Sequence, residues 1–436
     1  MKTLAPMWTF DQYDRLWRSV AWRGVPSMAL DTRMFGWRYL SLNALVLTPS
    51  EADALRDLTD AFSRLLDIAT ARVLEDASWW TELAWPWAAV ELARQEPPHR
   101  GGRSTLYGRF DWLLDSQRGT WQLVEYNADT PSGGREAESL EPAVWRVHGG
   151  TRAGLGRLSG RLSRMLAATL DRRLADWSDS TGRPVRLVGV VSSHGWLEDM
   201  AQAWWLAGLL RGRGRPALVG EVTDLAVRHG RVTLRGCPID AVYRFYPVER
   251  LYRHGLFAPL TDAALDGRLL ALNGLRGFLA QSKLVLAWLW ANRTEPALGR
   301  GARQLIESHL PPILPARDRH AARLLPDAVV KHVNGREGDS VVFTDSLDHA
   351  GWESRLLEGG YVVQRRVHSV PLQHVEVDEI SRGLRCVEPR YACVGTFCVG
   401  GRFGGCYTRI DGPVTTGRAT FVPTLVEARP ASECAP

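Results

Sequence analysis

Apolar side chains recur at three- and four-residue steps through residues 52–74 and again through 79–92, the spacing that lays one helix face against a core. Residues 1–95 are therefore expected to be mostly helical. Glu96, Pro97, Pro98, Gly101 and Gly102 break that pattern. From Thr105 to Asn127 the period falls to two, which predicts strands. An Arg- and Leu-rich helical stretch is expected over 136–177. A strand over 185–191, a helix over 198–211 and strands over 216–220 and 239–245 then alternate, predicting a short α/β unit with parallel pairing. Residues 264–310 read as helical, and 326–428 as β-hairpins punctuated by Gly pairs. No internal repeat or low-complexity tract appears, so one compact α/β assembly is expected, divided near 1–95, 96–180, 181–260 and 261–436.

The most informative segment is YGRFDWLLDSQRGTWQLVEYNAD, residues 107–129. Two alternating runs flank a polar turn with Gly119, the pattern of a β-hairpin. A turn centred near Arg118 sets Asp111 opposite Glu125 and Arg109 opposite Asn127. All four then project from one face of the sheet. Directly opposed side chains lie roughly 4.5 to 5.5 Å apart at Cβ, so two carboxylates there repel unless positive charge comes between them or one protonates. Asp, Glu and the Asn amide oxygen are hard ligands, and a divalent cation such as Mg²⁺ suits them. Arg109 could hold an anion beside it. An exposed polar face, with Arg109 neutralising Asp111, is the alternative, and a one-residue slip in register would undo the geometry. The turn that follows, Ala128 to Gly134, leads into a helix start whose free N–H groups could receive a carboxylate or phosphate.

Two lysines stand out in the second half. Lys283 follows Gln281 and Ser282 at the head of an apolar helical segment, where a solvated or snorkelling lysine is the plainer reading. Lys331 lies within a strand predicted over 328–333, where desolvation costs free energy unless an anion meets it. The Gly335–Gly338 loop after it could close over phosphates, and 361–367 with the hairpin 396–411 reads as an antiparallel β-lid and cradle.

Composition narrows the classes. The chain has 436 residues, 54 Lys plus Arg against 48 Asp plus Glu, and a net charge of +6 carried almost wholly by Arg. That suits an enzyme for anionic substrates as well as a nucleic-acid binder. Arg-rich 152–173 is the one feature favouring the second, but no RNP-type or zinc motif supports it. Six cysteines without a CxxC pair argue against a zinc ribbon or a disulfide scaffold. The N-terminus lacks a signal-peptide core, and the apolar run 284–291 is far too short to cross a bilayer. A cytoplasmic protein without nucleic-acid or membrane partners is the expectation, with dimerisation possible through the Trp-rich N-terminal region.

Taken in order, YGRFD, LVEYNADTPSGG, the EDM at 198–200, IDAVYRFYPVERL, SK at 282–283, VVKHVNGREG, VVQRRV and VGTFCVGGRFGG resemble the motifs of the glutathionylspermidine synthase family, circularly permuted ATP-grasp ligases. The resemblance implies an α/β ATP-grasp fold and an ATP-dependent carboxylate–amine ligase. Carried over, Asp111, Glu125 and Asn127 would bind Mg²⁺, Lys283 and Lys331 would meet ATP phosphates beneath Gly335 and Gly338, and Gln364 would lie near the adenine. Arg109 would hold the carboxylate or acyl phosphate, Arg336 would cover the transferring phosphoryl group, and Arg409, Thr130 and Ser132 would touch the acid. Glu249 is the candidate amine-side carboxylate. Small-molecule or peptide acids and amines are the implied partners. The thiol amidase domain of bifunctional members is not expected here, and Glu337 stands where the glycine loop often has Cys. An ATP-grasp-like scaffold without catalysis is the remaining alternative.

Overall fold

The computed structural model describes residues 1–5, 7–24, 32–34, 36–316, 327–336, 338, 340–346 and 349–429. Its centre is a six-stranded antiparallel sheet. Thr420–Val422, Arg402–Asp411, Gly383–Val399, Tyr107–Leu114 and Trp121–Asn127 lie in that order, and Pro371–Asp378 pairs with the first half of Gly383–Val399. The hairpin read from the alternating pattern is therefore real. The hairpin 396–411, expected with 361–367 in an antiparallel β-lid and cradle, is antiparallel and belongs to the same sheet as 107–127, Gly395 lying beside Asp111, whereas Tyr361–Arg365 lies in another sheet.

One face of the central sheet is covered by the helix Pro49–Glu75. Thr48 caps this helix in a capping box with Glu51, and Pro49 opens it. Its buried stripe includes Leu55, Phe62, Leu66 and Val73. Phe62 meets Trp112 edge to face at 5.6 Å between ring centres. Thr396, between the two layers, shares a 2.7 Å hydrogen bond with Thr59 and accepts one from Trp112 Nε1 at 2.9 Å. The hairpin thus rests on the N-terminal helix.

The first 95 residues are mostly helical, as the periodicity predicts, but they also include strands: Arg33–Met34 and Trp37–Arg38 pair with each other, and two more enter a larger sheet. Lys2–Leu4 and Ala44–Leu47 join Thr424–Glu427 and Leu155–Arg157 in a four-stranded sheet, where Ala44–Leu47 runs parallel to the C-terminal strand. Sheet pairing between chain ends has no local sequence signal. The helix expected over 136–177 is two helices, Gly134–Val147 and Leu162–Thr181. Gly149, Gly150 and Gly154, all at positive φ, end the first and turn the chain through the short strand Leu155–Arg157.

The four-stranded sheet of the α/β unit is parallel, in the order Leu270–Ala271, Ala241–Phe245, Val188–Ser192, Ala217–Glu221, and Leu225–Arg228, Arg231–Leu234 and Cys237–Pro238 form a separate antiparallel sheet beside it in sequence. Helix Leu197–Arg211 packs on the parallel sheet. A further antiparallel sheet of Ile313–Pro315, Tyr361–Arg365, Ala328–His332 and Val342–Phe343 carries Lys331 and Gln364. The five described cysteines are unpaired. Among the described residues no helix is long and apolar enough to cross a membrane.

Because Phe62 is fully buried between helix and hairpin, Phe62→Ala is expected to lower unfolding stability by about 3 to 5 kcal/mol in urea titration. A loss below about 1 kcal/mol contradicts this packing.

Candidate active site

The register sets Arg109 opposite Asn127 and Asp111 opposite Glu125, as the alternating pattern requires. Nearer the turn it shifts by one, so that Trp112 faces Leu123 and Leu114 faces Trp121. Val124 is the extra residue of this bulge. It places Leu123 with Trp112 on the core face while Glu125 stays with Asp111 on the other. The turn centres half a residue before Arg118, and the bulge restores the pairing at the charged rungs.

Asp111 is 2% exposed and ringed by donors. Arg109 donates to both its oxygens, Nε to Oδ1 at 2.7 Å and Nη2 to Oδ2 at 3.0 Å. Asn127 Nδ2 reaches Oδ2 at 3.1 Å, and Arg409 Nη2 at 3.3 Å. Burial pushes the Asp111 carboxyl up, but Arg109, Arg409 and Asn127 outweigh it and hold its pKa below the usual carboxylate value. The third Arg109 contact runs to the Ser132 carbonyl at 2.8 Å, and its guanidinium lies over the Tyr407 ring. Gly395 makes room for this side chain, since a Cβ there would lie 2.6 Å from Arg109 Cδ.

Lys283 is the first residue of helix Lys283–Ala291, capped by Ser282. Its ammonium is buried and donates to Glu125 Oε1 at 2.9 Å and to the Gly335 carbonyl at 2.8 Å. Lys331 lies within its strand as expected and donates to Gln364 Oε1 at 2.7 Å. Burial first, and then the Lys283 charge, lower its pKa to about 8. Gly338, at positive φ, passes so close to the chain at Thr415 that a Cβ would lie 2.6 Å from that carbonyl.

These residues line two cavities that share Glu125 and Arg409. The narrower, about 110 Å³, has Lys283, Lys331, Gln364, Gly335 and Gly338 among apolar walls that include Val329, Val341 and Phe343. The wider, about 570 Å³, holds Arg109, Asn127, Thr130, Ser132 and Arg336. Glu249 reaches the second through Arg336, which donates to it at 3.0 and 3.1 Å. The residues singled out in the sequence therefore converge, and Glu337 lies outside the described residues.

The sequence reading missed a buried hub behind the turn. Asp129, fully buried, accepts from Arg244 Nη1 at 2.6 Å, the Val248 N–H at 3.1 Å and Arg336 Nη2 at 2.8 Å. Its own N–H and that of Ala128 donate to Gln281 Oε1 at 3.0 and 3.2 Å. A signal existed. Arg244 sits within the apolar strand Ala241–Phe245, where a buried cation demands an anion as surely as Lys331 does. The wider cavity is also walled by Glu198, at the start of the helix expected over 198–211, and by Trp37, Tyr39, Trp196, Arg250 and Arg418, which the sequence reading did not single out.

Among the described residues no three His, Cys, Asp or Glu side chains cluster to hold a metal. The hairpin's donor set is two carboxylates and an amide. Asp111 has both oxygens committed to Arg109, whereas Glu125 meets one ammonium and Asn127, donating through Nδ2, keeps Oδ1 as an acceptor. Glu125 and the Asn127 amide oxygen are hard donors that fit a Mg²⁺ filling its octahedron with water and phosphate oxygens, while Asp111, expected as a third ligand, is engaged by Arg109, Asn127 and Arg409.

A family model described as glutathionylspermidine synthase preATP-grasp matches residues 27–427. No curated protein matches the chain. Among solved structures, a glutathione synthetase like-effector (GSS30) from Globodera pallida, in apoform, is similar at a TM-score of 0.60 and 10% identity, over 93% of this chain and 97% of that one. That is a likeness of fold. A putative gamma-glutamylcysteine synthetase from Methylobacillus flagellatus KT aligns at 0.34 and 10% identity, over 83% and 85% of the two chains. The D-cycloserine synthetase DcsG aligns at 0.31 and 16% identity, over 56% and 92%.

Lys331 is expected to titrate near pH 8 when followed by NMR of labelled lysine side chains, and Lys283→Ala should move that midpoint upward. The variant removes a depressing charge and leaves Glu125 to stabilise the remaining ammonium. A midpoint near the unperturbed value of about 10.4 that ignores Lys283 contradicts the assigned geometry.

Proposed function

We propose, from the premise that the chain belongs to the glutathionylspermidine synthase preATP-grasp family, that it is an ATP-dependent ligase joining a carboxylate to an amine through an acyl phosphate. Family membership supports the ATP-dependent ligase. The observation that carries the finer reading is the junction of two unlike cavities at Glu125 and Arg409. The apolar-walled one suits a nucleotide, with Gln364 beside the base and Lys331 and Lys283 toward the phosphates. The polar one suits an acid, with Arg109 and Arg409 for its carboxylate and Thr130 and Ser132 beside it.

Charge at the junction favours this arrangement. Arg109, Arg409, Lys283 and Lys331 face two carboxylates, Asp111 and Glu125, a surplus of two positive charges in a mostly buried site. A triphosphate and a carboxylate offset it. Asp111 fixes the Arg109 fork, so both guanidiniums are in place before any substrate arrives, and no reorganisation is needed during reaction.

In this reading a carboxylate oxygen of the acid, held by Arg109 and Arg409, attacks the terminal phosphorus of ATP. The bond to the bridging oxygen breaks and ADP leaves. Lys283, Lys331 and Arg336 neutralise the charge that spreads over the transferring group. The amine then attacks the acyl carbon, the carbon–oxygen bond to the phosphoryl group breaks, and phosphate leaves as the amine gives up its proton. Glu125 and Asn127 would hold Mg²⁺, which when bound draws electron density from the phosphate oxygens. An inactive scaffold is disfavoured by the presence together of Asp111, Glu125, Asn127, Lys283 and Lys331 at one junction.

Phosphate release from Mg·ATP, screened against crossed panels of acids and amines, is expected only with one matching pair and with the condensed mass in mass spectrometry. Glu125→Ala should lower that turnover by about 10²- to 10³-fold while circular dichroism shows the fold retained, and chelation of Mg²⁺ should abolish it. Full turnover by Glu125→Ala contradicts the assignment.

A further inference from the structure

Arg336 stands between two carboxylates of unequal character. Asp129 is fully buried and is satisfied without it, by Arg244 and the Val248 N–H. Glu249 has a side chain 33% exposed, and Arg336 grips it as a fork, Nε to Oε1 at 3.0 Å and Nη2 to Oε2 at 3.1 Å. Nη1 donates to Thr130 Oγ1 at 3.1 Å. The same guanidinium lies on the cavity wall with Glu125, Asn127, Arg109 and Arg409, and its neighbour Gly335 is tied by its carbonyl to Lys283. A phosphoryl group at the junction would therefore meet a guanidinium already engaged by a partly solvated carboxylate. The fork to a carboxylate and a fork to phosphate use the same guanidinium N–H groups, and the terminal phosphate brings more negative charge and more acceptor oxygens than the partly solvated Glu249 carboxylate.

We infer that Glu249 competes with the terminal phosphate of the nucleotide for the Arg336 guanidinium, so that nucleotide binding opens the Arg336–Glu249 fork and uncovers the Glu249 carboxylate for a cationic amine. The inference rests on the ligase reading and adds an order to it. Without nucleotide the amine's carboxylate partner is masked by an internal cation, so the amine engages after the nucleotide. Asp129, held by Arg244, keeps the guanidinium anchored while its other contacts exchange.

The test is a calorimetric cycle with Mg·AMPPNP on the full chain as wild type, Glu249→Gln, Arg336→Met and the double variant. Glu249→Gln is expected to bind the nucleotide about two- to fivefold tighter, the range a partly exposed ion pair supplies, and to have no effect when Arg336 is already Met. Wild-type binding that Glu249→Gln leaves unchanged or weakens overturns the inference alone. Absence of wild-type binding overturns the ligase reading and the inference with it. Unmasking is read separately with 1,4-diaminobutane as the probe cation and no nucleotide. Arg336→Met should bind it more tightly than wild type, and the double variant should lose that gain. Equal binding by Arg336→Met and wild type overturns the unmasking. Melting temperatures establish that each variant is folded.

Discussion

Two carboxylates opposed on one rung of a β-hairpin, one of them almost fully buried, cannot both stay ionised without cations around them. Much of the protein answers that constraint. Arg109 comes from the next rung of the same strand, Arg409 from two strands away, and Lys283 from the start of a helix beyond the sheet. Each neutralises Asp111 or Glu125 and is fixed by doing so. The site is thus a lattice of alternating charge whose positive excess faces open space, an arrangement made for anionic ligands rather than for folding stability.

The hairpin was legible because its chemistry coincides with its periodicity. Alternation placed Arg109, Asp111, Glu125 and Asn127 on one face, and the pairing of like charges signalled a site. Even so, the assumed turn centre was half a residue off, and the pairing is correct only because Val124 bulges. A bulge has no periodic signature, so register at the charged rungs was right for a reason that alternation does not contain. Lys331 was legible from the cost of burying an ammonium in an apolar strand. The same argument applied to Arg244 would have revealed Asp129.

What stayed hidden depends on contacts distant in sequence. The parallel pairing of Ala44–Leu47 with Thr424–Glu427 joins segments about 380 positions apart, and strands of four residues do not announce their partners. The break between helices at Gly149 to Gly154 was obscured by Arg and Leu spacing that continues across it. The outer walls of the wider cavity come from short elements and turns at Trp37, Trp196, Arg250 and Arg418, whose placement follows from packing and not from local propensity.

Asp129 joins these parts. It lies in the turn that leaves the hairpin, grips Arg244 of the parallel sheet and Arg336 of the glycine loop, and so aligns the two cavities. The central claim is that a carboxylate held at this junction is phosphorylated before an amine displaces the phosphate. Its most direct test uses the acid found by screening, labelled with ¹⁸O in its carboxylate, with ATP and the matching amine. The account predicts one ¹⁸O in the released phosphate for each amide formed. Unlabelled phosphate accompanying amide formation would contradict it.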